Sequence, residues 1–387
     1  MVETGKRKSA EVVSAARASG RNDGIDLLRI VSMFMIVCLH VLGQGGAMRR
    51  LSSRPATYNA AWLLEVLCFG SVNLYGMISG YVGIRTDFKA GRILRIFFQL
   101  YFYSILMTGI TWLISPALVD REIVIGSLFP LSMNTYWYMS AYVVAFVFSP
   151  FVNRMIRALS DWEKRVLAGL LIGVFSIWTF MPRILETDTM SLVAGYSFVW
   201  LEVLYVLGAC LGSLPARKRR AGVYAAVYLL SAAAGWALKI GLEEYTRRVM
   251  GEAMYGRKVI SYHSPFILIG SIALLLWFSQ IRLCSGRIRE LVRFLAPSTL
   301  AVYLIHVHPV SWQYLIKGAA SSMTYLPWPL LIPAVLLAAL GIYLTCSLAD
   351  RLRISLFALC RVDALCGRVT RWVQELRDRN RNADGGQ

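Results

Sequence analysis

The stretch "GIDLLRIVSMFMIVCLHVLGQGG" (Gly24–Gly46) is long and apolar enough to cross a bilayer as a single helix. It nevertheless carries Asp26 and Arg29 near its start and His40 deep inside. An unpaired ionisable residue is costly in the hydrocarbon region, so such residues face a bundle interior or a water-filled cavity. The stretch therefore predicts a membrane helix whose polar residues face the bundle interior or a water-filled cavity.

Composition indicates that the rest of the chain is also a membrane protein. Of its 387 residues, 57% are hydrophobic and 16% are charged, whereas a soluble domain has about 25% charged residues. The net charge of +19 would suggest a nucleic-acid partner in a soluble protein. Here the basic residues lie mostly in short connections between apolar runs, so they are interpreted as topology signals and no nucleic-acid partner is expected.

The apolar runs predict an all-α integral membrane protein, a bundle of about ten transmembrane helices. They centre on Gly24–Leu42, Trp62–Ile84, Ile93–Ile114, Asn134–Phe151, Val166–Met181, Tyr196–Leu214, Val223–Leu242, Ser261–Ile281, Leu295–Ile316 and Pro327–Ala349.

The distribution of Lys and Arg orients these spans. With ten spans, 29 of these residues fall on the side of the two termini and 11 fall on the other side. The bias predicts that both termini are cytoplasmic. We expect a basic cytoplasmic leader (1–23), a transmembrane domain (24–349) and a basic cytoplasmic tail (350–387). Apolar residues spaced among the arginines of the tail favour an interfacial helix over a solvated segment.

One face of the first span carries its polar residues. Arg29, Met33, Ile36 and His40 share this face, and His40 lies about 16 Å above Arg29 at 1.5 Å per residue. Asp26, one turn before Arg29, is placed to pair with it. Spacing alone leaves two readings open for each residue. Arg29 is either a site residue or a flanking arginine that reaches the interface, and His40 is either functional or a packed core histidine.

The Arg29–His40 spacing resembles a hallmark of the acyltransferase-3 family of membrane O-acyltransferases. Further segments resemble family motifs in the family's order. They are "NLYGMISGYV" (Asn73–Val82), "RILRI" (Arg92–Ile96), "NTYWYMSAYVVAFVFSPFVNRMI" (Asn134–Ile156) and "STLAVYLIHVHPV" (Ser298–Val310). The resemblance covers Gly24 to Ala349 and suggests a polysaccharide O-acetyltransferase without an appended extracellular domain.

The resemblance implies transfer of an acyl group, usually acetyl from acetyl-CoA, to a hydroxyl of a cell-surface polysaccharide or lipid-linked glycan. It implies His40 and Arg29 as catalytic residues in a multi-pass protein of the cell membrane, a bacterial plasma membrane. A sugar hydroxyl is a weak nucleophile and needs a general base. Histidine can be that base or can carry the acyl group itself. No tightly bound cofactor and no metal are expected.

The same motifs suggest where the two substrates bind. The planar guanidinium group of arginine can bind two phosphate oxygens at once, so Arg92 and Arg95 are predicted to bind the donor. The alternative is that they only add to the positive charge on the cytoplasmic side. The donor site is also predicted to include Ser79, Gly80 and Tyr81. The alternative is that these residues only end the second span.

A second set of residues is predicted to bind the acceptor or to support the residues that do. The alternatives are that these residues anchor helices at the membrane interface, pack in the core or cap helices. This set comprises Asp26, Trp137, Tyr138, Tyr142, Tyr303 and His306. Glu65 and Glu202 are intramembrane acids, and either is a possible partner for His40 or an arginine.

Two other classes of function compete with acyl transfer. A glycan exporter or proton-coupled transporter would use His40 and Arg29 as a proton and anion site. Broken helices and repeated halves would favour this transporter. A catalytically inactive partner in glycan assembly would keep the topology but show no turnover.

Overall fold

A computed structural model describes residues 22–49, 51–215 and 219–384. Within these residues every regular element is helical. The first half contains α1 (Asp23–Leu42), α2 (Pro55–Phe69), α3 (Ser71–Gly83), α4 (Ala90–Ile114), α5 (Arg121–Leu128), α6 (Trp137–Ala158), α7 (Asp161–Ile172) and α8 (Thr179–Ile184). The second half contains α9 (Phe198–Ser213), α10 (Ala221–Met250), α11 (Gly256–Val259), α12 (Pro265–Gln280), α13 (Gly286–Leu295), α14 (Thr299–His306), α15 (Trp328–Leu359) and α16 (Val362–Asp384).

Each predicted span coincides with an apolar helix or helix pair. Seven are long and apolar enough to cross a membrane by themselves, with α2–α3 and α7–α8 each counted as one unit. An eighth is a bent pair, and α9 and α12 are shorter apolar helices. The part of the chain that the structure describes is thus all-α with seven candidate membrane spans, or eight if the bent pair is one span. A count of ten crossings and cytoplasmic termini stay predictions.

Helix α1 lies at the centre of the bundle. The side chain of Asn22 caps its start by accepting hydrogen bonds from the backbone N–H groups of Gly24 (3.0 Å) and Ile25 (3.3 Å). The Asn22 amide also donates to the Ser279 carbonyl at 3.0 Å, which ties α1 to the end of α12. Helices α2, α3, α12 and α15 surround α1, so α1 lies inside the bundle.

A sharp break interrupts the ninth apolar segment. The Gly286–His306 portion meets the Ser311–Tyr325 portion at 81°. Pro309 lies in the break, where a residue without an N–H cannot continue the helical ladder. A π-helical turn, Ser311–Ile316, follows directly, and such turns are frequent at functional sites. Irregular backbone at membrane depth is tolerated where it is buried in protein or lines a cavity.

The last long apolar helix runs past residue 350, where the tail is predicted to begin. Helix α15 continues through Leu359, and Asp350 and Arg353 are buried within it. Asp350 accepts a hydrogen bond from the Tyr103 hydroxyl at 2.5 Å and two from Arg353 at 2.6 and 2.9 Å. Helix α16 then packs against the start of α4. Residues 1–21 of the predicted leader and 385–387 of the tail lie outside the described residues.

Candidate active site

A cavity of about 650 Å³ lies beside α1, and His40 forms part of its wall. Met33 and Ile36 line the same cavity, as their spacing from His40 predicts. The other lining residues come from α1 and the turn after it, from α2, α3 and α6, from the loops at Thr135, Tyr196 and Tyr262, and from both sides of the break. They are Leu39, Gly43, Gln44, Glu65, Phe69, Val72, Tyr75, Thr135, Trp137, Tyr138, Tyr196, Tyr262, Thr299, Leu300, Tyr303, Val307, Pro309 and Trp312.

His40 and His306 form a hydrogen-bonded dyad at this cavity. Nδ1 of His40 lies 2.8 Å from Nε2 of His306. Nδ1 of His306 lies 2.5 Å from the Val302 carbonyl oxygen. His306 is the last residue of α14, immediately before the break. The break thus brings a histidine of the ninth apolar segment against a histidine of the first.

The hydrogen bonds fix the tautomers of the neutral dyad. A carbonyl oxygen only accepts, so His306 must carry its proton on Nδ1 and donate it to Val302. Nε2 of His306 is then an acceptor, and His40 must donate to it from Nδ1. This arrangement leaves Nε2 of His40 without a proton. A ring nitrogen free to take a proton is therefore held at the wall of the cavity.

Aromatic rings hold both imidazoles in place. The Trp312 ring meets His40 edge-on, with ring centroids 4.7 Å apart. The Tyr303 ring contacts His306 in the same manner at 6.4 Å. Trp312 belongs to the π-helical turn after the break, so its position depends on the backbone irregularity that also places His306.

Arg29 lies toward the other end of α1 and is paired with Asp26, as expected. Its Nη1 atom is 2.7 Å from Asp26 Oδ1, and Asp26 is buried. The Tyr75 hydroxyl donates to the Arg29 backbone carbonyl at 2.7 Å. Arg29 keeps about a third of its side chain exposed, so the guanidinium is only partly committed to the pair.

The two arginines of α4 occupy different environments. Arg92 is exposed and makes one long contact, 3.4 Å to the Thr86 hydroxyl. Arg92 of α4 and Arg29 of α1 both lie within electrostatic range of Tyr142 of α6. Arg95 instead pairs with Asp363 of α16 at 3.1 Å, an exposed ion pair.

The Ser79–Gly80–Tyr81 motif lies in helix packing. Ser79 donates to the Tyr75 carbonyl at 2.8 Å. Gly80 packs so closely on α9 that an added Cβ would lie 1.9 Å from the Tyr205 carbonyl oxygen. Tyr81 is buried, and its ring carries the Arg85 guanidinium at 4.3 Å. The Gly80 contact joins α3 to α9, whereas the Ser79 and Tyr81 contacts stay within α3 or the residues just after it. Donor binding by the motif stays a prediction.

The predicted aromatic residues form one wall. Trp137 and Tyr138 line the cavity. Tyr142 stacks on Tyr138 with centroids 6.0 Å apart and extends the wall toward Arg29. Trp137 also contacts Tyr196 at 4.9 Å. The prediction did not include Tyr196, which lies in a connection and carries no motif.

Three polar atoms of the cavity wall have no hydrogen-bond partner among the described residues. They are Oε2 of Glu65 and the hydroxyl oxygens of Tyr138 and Tyr303. Unpaired buried polar groups are costly, so their concentration at a cavity indicates a place for a polar ligand. Between the two acids considered from the sequence, Glu65 lines this cavity, whereas Glu202 is absent from its lining.

The chain matches a known protein family. A family model described as "Acyltransferase domain", that of the acyltransferase-3 family, matches residues 22–348. The match covers most of the chain, and the protein belongs to this family of acyltransferases. No curated protein and no solved structure gives a match. The match confirms the family that the sequence motifs indicated, and it supports acyl transfer over transport. A broken helix is also found in transporters, so the break alone does not separate the two functions.

Proposed function

We propose that the protein transfers an acyl group, acetyl from acetyl-CoA, to a hydroxyl of a cell-surface polysaccharide or lipid-linked glycan. The observation that carries this proposal is the His40–His306 dyad at a cavity of about 650 Å³. Volumes of about 300–1,000 Å³ are typical of small-molecule sites. The same cavity offers aromatic faces and unpaired polar atoms to an acceptor.

His40 acts as the general base in this proposal. The acceptor hydroxyl gives its proton to the free Nε2 of His40 while its oxygen forms a bond to the acyl carbonyl carbon. The carbon–sulfur bond of the thioester then breaks, and the coenzyme A sulfur leaves with the bonding pair. Protonated His40 returns the proton to this thiolate, so the dyad ends the cycle in its starting state.

His306 positions and supports the base. As His40 takes up a proton, its Nδ1–H bond to His306 becomes a charge-assisted hydrogen bond, which is stronger than the neutral one. The Val302 carbonyl keeps Nε2 of His306 free to accept that bond. This division of roles makes His40 the catalytic residue and His306 its positioning residue.

Donor binding is assigned to the arginines at the opposite end of α1. Arg29 and Arg92 share Tyr142 as a neighbour, and both keep donor groups exposed. Guanidinium groups bind phosphate oxygens in pairs. Acetyl-CoA held by its phosphates there would extend its thioester along α1 toward His40, about 16 Å away at 1.5 Å per residue.

Mass spectra of surface glycans from cells with and without the gene test the reaction and its acceptor together. We expect the loss of an acetyl group from one glycan class in the deleted strain, with restoration by the wild-type gene but not by a His40→Ala variant. Unchanged glycans in the deleted strain would contradict the proposed acceptor class.

A further inference from the structure

The cavity beside His40 is lined by one acidic side chain, and no lysine or arginine among the described residues lines it. The acid is Glu65 of α2, whose Oε2 atom is buried without a hydrogen-bond partner. In the part of the chain that the structure describes, this carboxyl group takes part in no ion pair. Buried carboxylates are stable when they are paired with a cation or with hydrogen-bond donors. Glu65 is therefore available to a ligand that brings such a group.

Four aromatic rings, here called the aromatic cluster, lie together in the wall of this cavity. They belong to Phe69, Trp137, Tyr196 and Tyr262. The Tyr262 ring contacts the rings of Phe69 and Tyr196, with centroids 4.8 Å apart in each pair. Trp137 contacts Tyr196 at 4.9 Å and Tyr262 at 6.5 Å. The cluster thus joins residues from four separate segments of the chain.

Glu65 lies beside the aromatic cluster. Phe69 follows it by four residues on α2, so their side chains share one face of that helix. Glu65 also lies within electrostatic range of Tyr196 and Tyr262. No described lysine or arginine makes a cation–π contact with a ring of the cluster. Because aromatic faces carry partial negative charge, the carboxyl group and the cluster together favour a bound cation.

Hydrogen bonds hold the aromatic cluster in place before a ligand binds. The backbone N–H of Tyr262 donates to the Ala194 carbonyl at 3.1 Å, which joins the two connections that carry Tyr196 and Tyr262. The Tyr262 carbonyl accepts from the buried Asn73 amide at 2.7 Å, and Asn73 accepts from the Trp200 indole at 3.0 Å. A site arranged in advance loses less conformational freedom when its ligand binds.

We propose that the acceptor glycan carries a protonated primary amine, and that Glu65 and the aromatic cluster bind this amine while a hydroxyl of the glycan reacts at His40. The proposal rests on acyl transfer to a glycan as the function, and it narrows the acceptor to an amino sugar whose amine is free. A primary ammonium group has N–H donors for the unpaired Glu65 oxygen, whereas a quaternary ammonium group has none. The unpaired hydroxyl groups of Tyr138 and Tyr303 lie in the same cavity and are available to the sugar hydroxyls.

The bound amine is not the group that is acylated. A protonated amine has no lone pair with which to attack the thioester carbonyl. The acyl group therefore goes to a hydroxyl, and the product is an ester that mild base removes. An amide product would resist the same treatment.

Binding of two matched trisaccharides tests the proposal without catalysis. One is the β-1,4-linked trisaccharide of glucosamine, and the other is cellotriose, which has the same linkage and a hydroxyl in place of each amine. Calorimetric titration of the full-length protein in nanodiscs, without acetyl-CoA, measures both dissociation constants. We expect the glucosamine trisaccharide to bind at least about tenfold more tightly, because only its amine forms a charge-assisted hydrogen bond with Glu65.

Glu65→Gln removes the charge and keeps the length of the side chain and one acceptor oxygen. It should weaken binding of the glucosamine trisaccharide by at least about tenfold and change cellotriose binding by less than about threefold. Glu202→Gln is the matched control. Oε2 of Glu202 is also unpaired among the described residues, in the apolar helix α9, but Glu202 does not line the cavity. This variant should leave both dissociation constants unchanged.

Two variants of Tyr196 test the contribution of the aromatic cluster. Tyr196→Leu removes one ring face and should weaken binding of the glucosamine trisaccharide by about three- to thirtyfold, as expected for a lost cation–π contact. Tyr196→Phe keeps the ring and should change the dissociation constant by less than about threefold.

The outcomes separate this proposal from the function on which it rests. Equal affinity of the wild type for the two trisaccharides, or no measurable binding of the glucosamine trisaccharide, would contradict the ammonium site. Equal effects of Glu65→Gln and Glu202→Gln, or a base-stable amide as the product with acetyl-CoA, would contradict it as well. Acyl transfer to a neutral glycan without these binding differences would keep the proposed function and remove the amino-sugar acceptor. The expected binding differences without acyl transfer to any glycan would keep the ammonium site and overturn the proposed function.

Discussion

Replacement of His306 tests whether its hydrogen bond with His40 contributes to the reaction. In His306→Ala, Nδ1 of His40 loses the acceptor that lies 2.8 Å away in the wild type. In the transition state this hydrogen bond involves a protonated imidazole, and hydrogen bonds to charged groups are worth about 1.5–3 kcal/mol. At about 1.4 kcal/mol per factor of ten, kcat should fall by about 10- to 150-fold.

His306→Gln should restore much of this loss. The glutamine amide can donate to the Val302 carbonyl as Nδ1 of His306 does, and its oxygen can accept from His40. We expect kcat within about tenfold of the wild type, with little change in KM for acetyl-CoA, because the donor phosphates are held elsewhere. The assay is initial-rate transfer from radiolabelled acetyl-CoA with protein purified in nanodiscs.

His308→Ala provides a matched control. His308 is equally buried, but it contacts the Thr108 hydroxyl at 3.2 Å and does not line the cavity beside His40. Its loss should lower thermal stability and leave kcat of the folded protein unchanged. If His306→Ala keeps wild-type kcat, or if His306→Gln is no better than His306→Ala, the hydrogen bond from His40 to His306 does not support the reaction.

Three further predictions concern the donor site and the packing. Arg92→Lys should raise the KM for acetyl-CoA by about tenfold in titrations of the donor, since a forked phosphate contact is lost. Arg95→Lys should change the KM for acetyl-CoA by less than about threefold, because Arg95 is paired with Asp363. Equal changes in KM for the two variants would contradict separate roles for Arg92 and Arg95. Gly80→Ala should lower thermal stability, by about 1–3 kcal/mol in unfolding free energy, because its Cβ would lie 1.9 Å from a backbone oxygen. Gly109→Ala, with open space around it, should be neutral, and a stable Gly80→Ala protein would refute the close packing.

The order of the helices was predictable because it depends on local composition. A run of about 20 apolar residues identifies a candidate span by itself, and each predicted run corresponds to an apolar helix or pair. The shared face of Met33, Ile36 and His40 was also predictable, because helical periodicity is local. All three residues line one cavity.

The remaining features depend on contacts between distant parts of the chain. No local pattern shows that Asp363 pairs with Arg95, since this pair depends on how α16 docks on α4. The break after His306 is signalled in the sequence by Pro309 alone, and its 81° angle comes from packing. The sequence motif around Gly80 suggests a site, whereas the structure shows a close helix contact, because glycine serves both purposes.

Acyl transfer at the cavity beside His40 can be measured directly. The most direct measurement compares wild-type protein with His40→Ala, both purified in nanodiscs, for transfer of radiolabelled acetyl from acetyl-CoA to a glycan extract. We expect turnover by the wild type and a loss of at least about a hundredfold in the folded variant, as is typical of a general base. Equal turnover by the two proteins, or none by the wild type, would contradict it.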